Sequence, residues 1–352
     1  MPNLNFNFNL GRRHGADVVG LDIQPGHIAA VQARVNGSIV VKHAAAAALP
    51  ADIVREGEVL DEGVLSEALH ELFEDGALSR RVRLGVANQR TVLRTLELPP
   101  ITDSKELEAA VRFLAEDQVP MPLSNAVLDF HSLGVHDTHE GPRQHVVLVA
   151  AQRDMIQRLL SAARDAGLRP EGIDLSAFAL IRSLYRPDPE HDGRVLYLNV
   201  DGLTNMAISE GTICRFTRVV GGGIEAIASQ LAERRSIPLV EARALIAAFD
   251  LTATPAPEDE EVRVVLENGI REIAGEVRNS LEFHRSQEGG GEVSRVVLSG
   301  AALDLAGFAE ALQEQLGIEV ERESVPMDEQ LGGVSAHRLA IAAGLAVEEA
   351  PQ

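Results

Sequence analysis

Short apolar runs and longer amphipathic stretches alternate along most of the chain after residue 17. The runs at 18–23 and 194–200 predict buried strands, and two further strand-like stretches follow each of them. Apolar residues at helical spacing predict helices at 102–118, 153–166, 224–235, 239–249, 259–287, 304–316 and 335–347. This alternation of strands and helices predicts an α/β fold.

The two halves of the chain share one order of elements. Each contains a buried strand, an acid-bearing turn, a strand, a glycine-containing hairpin and a strand, in the segments VVGLDIQPGHIAAVQARVNGSIVVKHA and VLYLNVDGLTNMAISEGTICRFTRVV. The repeat predicts two similar three-stranded meanders, each followed by helices. If the halves face each other, both acid-bearing turns lie at one central cleft.

Two segments depart from this repeat. A compact α+β unit is predicted over 82–168, in the order strand, strand, helix, strand, strand, helix. Residues 3–10 alternate Asn with Leu or Phe, which places four apolar side chains on one face of an extended segment. Two interpretations of that segment stay open: a loose tail, or an arm that adds to a sheet edge or lies in a groove.

Composition narrows the functions that the chain can have. The 352 residues include 53 acidic and 32 basic side chains, a net charge of −21. This excess repels phosphate backbones and anionic headgroups, so neither nucleic-acid binding nor electrostatic membrane docking is expected. The single cysteine, Cys214, excludes an intramolecular disulfide and favours a reducing compartment. No apolar run is long enough to span a membrane and no signal peptide is evident, which favours a cytoplasmic location.

The histidines predict no metal site. His131, His136, His139 and His145 are the only cluster, and their spacing matches no metal-ligand motif. No Walker A motif and no Gly-X-Ser-X-Gly motif occur either.

Eight segments resemble the type IV pilus assembly protein PilM family, within the actin-like ATPase fold. They are GLDIQPGHIAAV at 20–31, LPADIVREGEVLD at 49–61, RTLELPPITDSKELEAAVRFLAEDQVPMPL at 94–123, VLVAAQRDMIQRLLSAARDAGLRPEGIDLSAFAL at 147–180, NVDGLTNMAIS at 199–209, RVVGGGIEAIA at 218–228, EVRNSLEFHR at 276–285 and VVLSGAALDLAGFAEALQEQLGIEV at 296–320. The stretch containing Arg112, Phe113, Glu116 and 120–122 is the most specific, because it belongs to an inserted subdomain shared with the division protein FtsA.

The resemblance implies a duplicated actin-like (ribonuclease-H-like) fold with an inserted α+β subdomain. The expected boundaries are an N-terminal arm at 1–17, a first core subdomain at 18–81 and 169–192, the insertion at 82–168, and a tail at 348–352. The second half is expected at 193–347, with a helical subdomain at about 236–288.

It also implies a role at the inner membrane. Members of the family bind the short cytoplasmic N-terminal peptide of the membrane protein PilN and align the pilus platform with its motor. They use a groove between the first core subdomain and the insertion, here predicted to involve Arg94, Leu96, Leu98, Arg112, Phe113, Glu116 and Met121. The implied protein is cytoplasmic and peripheral to the inner membrane through its partners, and self-association stays open.

The first phosphate turn of the actin-like class departs from its usual pattern. Asp22 is retained, but Gln24 stands where a glycine is usual and Ala29 where a lysine is usual. Gln24 places a side chain where backbone must approach a phosphate, and Pro25 removes an amide donor. Without the lysine, only Mg²⁺ held at Asp22 would offset the phosphate charge.

The other two turns are altered as well. The acid of the second turn is replaced by Asn199, which cannot accept a proton from water, and Asp201 stands where a glycine is usual. A shifted register that lets Asp201 replace the lost acid is an alternative. The adenosine turn is Gly300-Ala301-Ala302 in place of three glycines. The candidate nucleotide contacts are Asp22, Asp201, Gly202, Thr204, Gly221, Gly222, Gly223 and Gly300.

The altered turns predict a scaffold that does not hydrolyse ATP, with binding of ATP and Mg²⁺ doubtful and no catalytic residue assigned. One alternative is an ATP-binding actin-like ATPase or small-molecule kinase, which Gln24, Ala29 and Asn199 disfavour. Another is an FtsA-like filament-forming protein, which tethers itself through a basic amphipathic C-terminal helix. The end of this chain, AVEEAPQ, carries no basic residue and disfavours that alternative.

Overall fold

The computed structural model describes residues 18–36, 38–50, 52–138, 141–187, 193–287, 289–327 and 334–348. The strands are β1 (Val19–Gln24), β2 (His27–Asn36), β3 (Ser38–Ala48), β4 (Val54–Arg55), β5 (Glu58–Val59), β6 (Arg81–Val86), β7 (Val92–Leu98), β8 (Ala126–Thr138), β9 (Gly141–Gln152), β10 (Arg169–Leu175), β11 (Arg194–Val200), β12 (Thr204–Glu210), β13 (Ile213–Val220), β14 (Val293–Ser299) and β15 (Val320–Arg322). The arm predicted at 1–17 and most of the tail predicted at 348–352 lie outside the described residues.

The helices are α1 (Glu62–Leu72), α2 (Ser104–Gln118), α3 (Arg153–Asp165), α4 (Ser176–Leu184), α5 (Ile224–Arg235), α6 (Leu239–Ala248), α7 (Glu260–Ser286), α8 (Phe308–Leu316) and α9 (Ala340–Leu345). Short 3₁₀ helices occupy Leu123–Asn125, Pro257–Asp259, Ala301–Asp304 and Ala336–Leu339. None of the helices that the structure describes is long and apolar enough to span a bilayer.

Two five-stranded mixed sheets repeat the same topology. The first has the order β10-β6-β1-β2-β3 and the second has the order β13-β12-β11-β14-β15. In each sheet a three-stranded antiparallel meander continues into strands that run parallel to its first strand. The internal repeat and the actin-like fold predicted from the sequence are thus confirmed.

A third sheet, of order β7-β9-β8, forms an outlying unit with α2. Asp103 caps α2, because its Oδ1 accepts hydrogen bonds from the backbone N–H groups of Lys105 at 2.9 Å and Glu106 at 3.0 Å. The apolar stripe of α2 includes Val111 and Ala115, which pack on one face of the sheet. This unit, from β7 to β9, lies in the middle of the insertion predicted at 82–168.

The edges of that unit differ from the predicted range of 82–168. β6 pairs in parallel with both β1 and β10, so it belongs to the first five-stranded sheet. α3 packs with α1 against the same sheet through residues such as Ile156 and Leu160. Only the segment from β7 to β9 builds the separate unit, because β6 joins the first sheet by parallel pairing and α3 packs against that sheet.

The helix predicted at 304–316 is shorter than expected. A 3₁₀ turn at Ala301–Asp304 comes first, and α8 starts only at Phe308. Between them, Ala306 pairs with Asp250 in an isolated bridge and its carbonyl accepts a hydrogen bond from Leu251 N at 3.0 Å. That tertiary contact removes the segment from the helix. The helix predicted at 335–347 is likewise a 3₁₀ turn followed by α9.

Two helices lie between the two large sheets and share one core with both. This shared core contains Val31 from β2, Leu180 from α4, Tyr197 from β11 and Ile341 from α9. α4 and α9 approach closely, since a Cβ at Gly344 would overlap the backbone carbonyl oxygen of Ala179. The outer faces of the sheets are covered by α1 and α3 on one side and by α5 to α8 on the other.

Candidate functional site

The two acid-bearing turns meet at the centre of the molecule. The β1–β2 turn at Pro25 and Gly26 lies against the segment between β11 and β12, and a Cβ at Gly202 would overlap the carbonyl oxygen of Pro25. Gly202 is therefore needed for the close backbone approach of the turns. The repeat predicts both turns at one cleft, and in the structure they are in direct contact.

The Gln24 side chain connects the two turns. It is only 1% exposed, and its Nε2 donates to Asp22 Oδ2 at 2.7 Å. Its Oε1 accepts a hydrogen bond from the backbone N–H of Leu203 at 3.2 Å. A side chain thus fills the space that a glycine would leave open for a phosphate, and it engages an amide of the second turn.

Asp22 is buried beneath Gln24. Burial is the largest influence and raises the pKa of its carboxyl group to about 6, while His27 and the hydrogen bond from Gln24 act in the opposite direction. One carboxylate oxygen is already occupied by Gln24. Within the described residues, no group of three or more acidic, His or Cys side chains could hold a metal ion.

Asp201 faces the first turn rather than open solvent. Its Oδ1 lies 3.3 Å from Nδ1 of His27, and both side chains are nearly inaccessible. Its backbone carbonyl accepts a hydrogen bond from Ile224 N at 2.8 Å, so the turn is also tied to the start of α5. The position beside Gly202 therefore holds an acidic side chain and a histidine from the other half.

A polar row follows the second sheet behind these turns. Asn199 Oδ1 accepts a hydrogen bond from Ser299 Oγ at 3.0 Å, and Asn199 Nδ2 has no partner among the residues described. The hydroxyl of Thr204 donates to the carbonyl of Gly222. Gly300 adopts φ +96°, and its N–H donates to the carbonyl of His337 at 2.9 Å. Apart from Asn199 Nδ2, these groups are committed to contacts within the chain.

The glycine segment before α5 is also engaged. Gly221 lies beside the side chain of Glu56 from the β4–β5 hairpin, and a Cβ at Gly223 would overlap the carbonyl oxygen of Asp201. In the first turn of α5, Glu225 pairs with Arg243 of α6, whose Nε lies 2.9 Å from Oε2. The Glu225 carboxylate is close to Gly26 of the first phosphate turn. An acidic side chain of the chain itself thus faces the positive end of the α5 dipole.

The two turns do not fit ATP with Mg²⁺ in this arrangement. Gln24 occupies the first turn, and two carboxylates lie beside the turns, Asp201 next to His27 and Glu225 next to Arg243. Their basic neighbours are thus engaged within the chain and are not open to a phosphate. Ala29, at the position of the usual lysine, is fully buried in the shared core. A lysine there would have to enter that core.

The predicted partner groove is only partly exposed. Leu96 and Leu98 are each 4% exposed and pack in the core between α2 and the third sheet, so they cannot line an open groove as they stand. Met121 is half-buried, whereas Arg94, Arg112, Phe113 and Glu116 are exposed. Phe113 is 72% exposed on α2, and Arg112 Nε donates to Glu108 Oε1 at 3.2 Å one turn earlier. The surface that remains is the outer side of α2.

Sequence reasoning missed how the cleft is closed. The sequence predicts Gln24 as an obstruction but does not reveal its hydrogen bond to Leu203. The contacts of His27, Glu225 and Arg243 are not evident from the sequence either. The available signal was a buried-type strand, β1, that carries two polar residues near its end. The pairing of those residues with the other half needs the three-dimensional structure.

Duplicated meanders, two helices between them and facing turns define the actin-like class of proteins. Within that class the chain belongs to the type IV pilus assembly protein PilM family, whose model matches residues 20–349. It is also similar to the solved PilM-PilN type IV pilus biogenesis complex, at 26% identity and a TM-score of 0.78, over 94% of this chain and 97% of that one.

More distant structures agree on the fold alone. The ethanolamine utilization protein EutJ from Carboxydothermus hydrogenoformans is 18% identical, with a TM-score of 0.53 over 94% of this chain and 88% of that chain. MreB 5 of Spiroplasma citri, solved bound to AMPPNP, is 12% identical with a TM-score of 0.53, over 94% of this chain and 95% of that chain.

Proposed function

We propose that this PilM-family chain is a scaffold of the type IV pilus inner-membrane platform and does not hydrolyse ATP. The observation that carries the proposal is the Gln24 side chain, which joins Asp22 to the backbone of Leu203 across the two phosphate turns. Hydrolysis needs a group that orients and deprotonates water, and the second turn offers Asn199 in place of an acid. The protein is proposed to be cytoplasmic and held at the membrane through its partners.

The proposed partner is the cytoplasmic N-terminal peptide of a PilN-like membrane protein. Support comes from the similarity to a solved PilM-PilN complex that covers nearly the whole length of both chains. The exposed side chain of Phe113, flanked by Arg112 and one turn from Glu116, supplies an aromatic contact with charged neighbours on α2. The division into a first core, an insertion and a second half stays part of this proposal, with the insertion centred on β7 to β9.

The test is a binding titration with and without nucleotide. A fluorescently labelled peptide with the N-terminal cytoplasmic sequence of the cognate PilN-like protein is titrated with the full chain, and anisotropy is recorded. We expect saturable binding of equal affinity with and without millimolar Mg-ATP, and no release of phosphate. A scrambled peptide is the control.

Two results would count against the proposal. Absence of peptide binding at concentrations that saturate other family members would remove the partner. Calorimetric binding of Mg-ATP that is lost in Asp22→Ala, together with phosphate release, would instead establish an active ATPase.

A further inference from the structure

A cavity of about 400 Å³ lies where three parts of the molecule meet. One wall comes from the β6–β7 connection, which contains Asn88 and Thr91. Another comes from the start of α4, at Ala177, and the third comes from β12 and β13 of the second half, including Asn205 and Val219. Its size falls in the lower part of the range of small-molecule pockets.

Asn205 is the most unusual residue of this cavity. It is 1% exposed, and neither its Nδ2 nor its Oδ1 has a hydrogen-bond partner among the described residues. Asn205 lies directly opposite Asn199 on β11 and Val219 on β13, so its side chain leaves the second sheet on the face that carries Asn199. A buried carboxamide without partners is costly, which makes it a receptor for groups that can satisfy it.

Thr91 presents a second unsatisfied group to the same cavity. Its Oγ1 is buried and has no partner in the described part of the chain. The neighbouring Asn88 differs, because its Nδ2 donates to Glu56 O at 2.7 Å and its Oδ1 accepts from Arg90 N at 2.7 Å. The unsatisfied groups are therefore one hydroxyl and one carboxamide, both uncharged and contributed by different elements of the cavity wall.

The charges at the cavity are already compensated. Arg218 Nη2 lies 2.8 Å from Glu276 Oε2, and its Nη1 donates to Ser280 Oγ at 3.2 Å. Of the remaining lining residues, Val86, Leu175 and Val220 are apolar and Gln89 and Thr217 are polar but uncharged. None of the described lining residues is aromatic. An anion would find no free cation among these residues, and a nucleobase would find no aromatic surface to stack on.

We infer that this cavity binds a small uncharged molecule that carries a hydrogen-bond donor and an acceptor side by side. The acceptor of the ligand receives the Nδ2 protons of Asn205, its donor faces Asn205 Oδ1, and a further polar group reaches Thr91. Vicinal hydroxyls and an amide share this chemistry. The cavity borders the second phosphate turn, because Asn205 lies opposite Asn199 and Val220 directly precedes Gly221. Its proposed ligand does not depend on the proposed scaffold function.

The experiment compares two sets of probes on the full chain. Glucose and myo-inositol form the hydroxyl set, and N-acetylglycinamide and nicotinamide form the amide set. Binding is followed by saturation-transfer NMR and by the shift in Tm at millimolar concentrations. We expect one set to bind saturably, with an affinity roughly tenfold lower in Asn205→Leu because both hydrogen bonds are lost.

Two further variants keep the test decisive if Asn205→Leu does not fold. Thr91→Val keeps the shape of the side chain, removes the hydroxyl and is expected to weaken binding roughly threefold. Thr95→Val, at an exposed position on β7, makes the same chemical change outside the cavity and should leave binding intact. The inference is overturned if neither probe set binds, or if Thr91→Val and a folded Asn205→Leu both retain the full affinity.

Discussion

Removal of the Gln24 side chain tests the closed turns most directly. Gln24→Ala leaves the buried N–H of Leu203 without its acceptor and Asp22 without its donor. We expect the free energy of unfolding in urea to fall by about 1–3 kcal/mol. Gln118→Ala, at an exposed position on α2, should change it little. Equal stability of wild type and Gln24→Ala would show that the bridge does not hold the turns together.

The raised pKa of Asp22 should make the stability of the protein depend on pH. Its pKa is raised from 3.8 to about 6, so the folded state binds its proton more tightly than the unfolded state does. The penalty for ionising the buried carboxyl therefore grows as pH rises from about 4 to about 6 and stays constant above that, at about 3 kcal/mol.

Asp22→Asn should remove this penalty and keep an acceptor for Gln24. We expect the variant to be more stable than wild type at pH 8, with the difference shrinking towards zero near pH 4, measured by urea unfolding across the range. Asp117→Asn, at an exposed site on α2, controls for the loss of one negative charge. A stability difference that is independent of pH would contradict the raised pKa.

Single residues show where sequence reasoning succeeds and where it stops. The altered positions at Gln24, Asn199 and Asp201 are visible in the sequence because each replaces a residue type that the chemistry requires. The contact between Gln24 and Leu203 spans 179 residues, and its existence depends on how the halves dock. No local pattern encodes such a pair.

At the scale of elements, α2 has one face of buried apolar residues and another face with an exposed aromatic side chain. Val111 and Ala115 face the third sheet, whereas Phe113 points away and is 72% exposed. Phe113→Ala should lower the affinity for the PilN-like peptide roughly tenfold. Aromatic side chains that become buried on binding contribute most of the affinity in many interfaces. Its unfolding free energy should stay within about 0.5 kcal/mol of wild type.

Val135→Ala is the matched control for that prediction, measured by the same anisotropy titration. Val135 is 54% exposed on β8 of the same unit, so the substitution also removes exposed apolar surface. Equal affinities of all three proteins would place the peptide away from the outer side of α2.

Elements with strong periodicity were predicted to within a few residues, and those set by tertiary pairing were not. α2 and α7 start and end close to the expected positions because an N-cap or an apolar stripe marks them. β6 was grouped with the insertion because its neighbours in sequence lie there, although its partners β1 and β10 are distant in the chain. Parallel pairing leaves little trace in the local pattern.

The whole molecule is organised around the shared core of α4 and α9. Gly344→Ala would introduce a methyl group against the carbonyl of Ala179, where no space exists. We expect the free energy of unfolding to fall by about 1–3 kcal/mol. Because the chain has no tryptophan, unfolding is followed by circular dichroism at two wavelengths, and both should report one transition.

Gly275→Ala on α7 is the control, because it makes the same substitution at a position with open space. A Cβ at Gly275 meets nothing within 4 Å, so alanine should be neutral or should stabilise the helix by up to about 1 kcal/mol. Two separate transitions in Gly344→Ala, one for each half, would contradict the view that the halves depend on one core.

The shared core also has a mechanical consequence. In the proposed scaffold role, this chain carries pulling forces between its partners. Because α4 and α9 contribute side chains to a core that both sheets complete, the halves cannot swing apart without exposing apolar surface from each. Such a molecule resists a hinge motion between its halves. Under tension both halves should unfold together, in a single unfolding event.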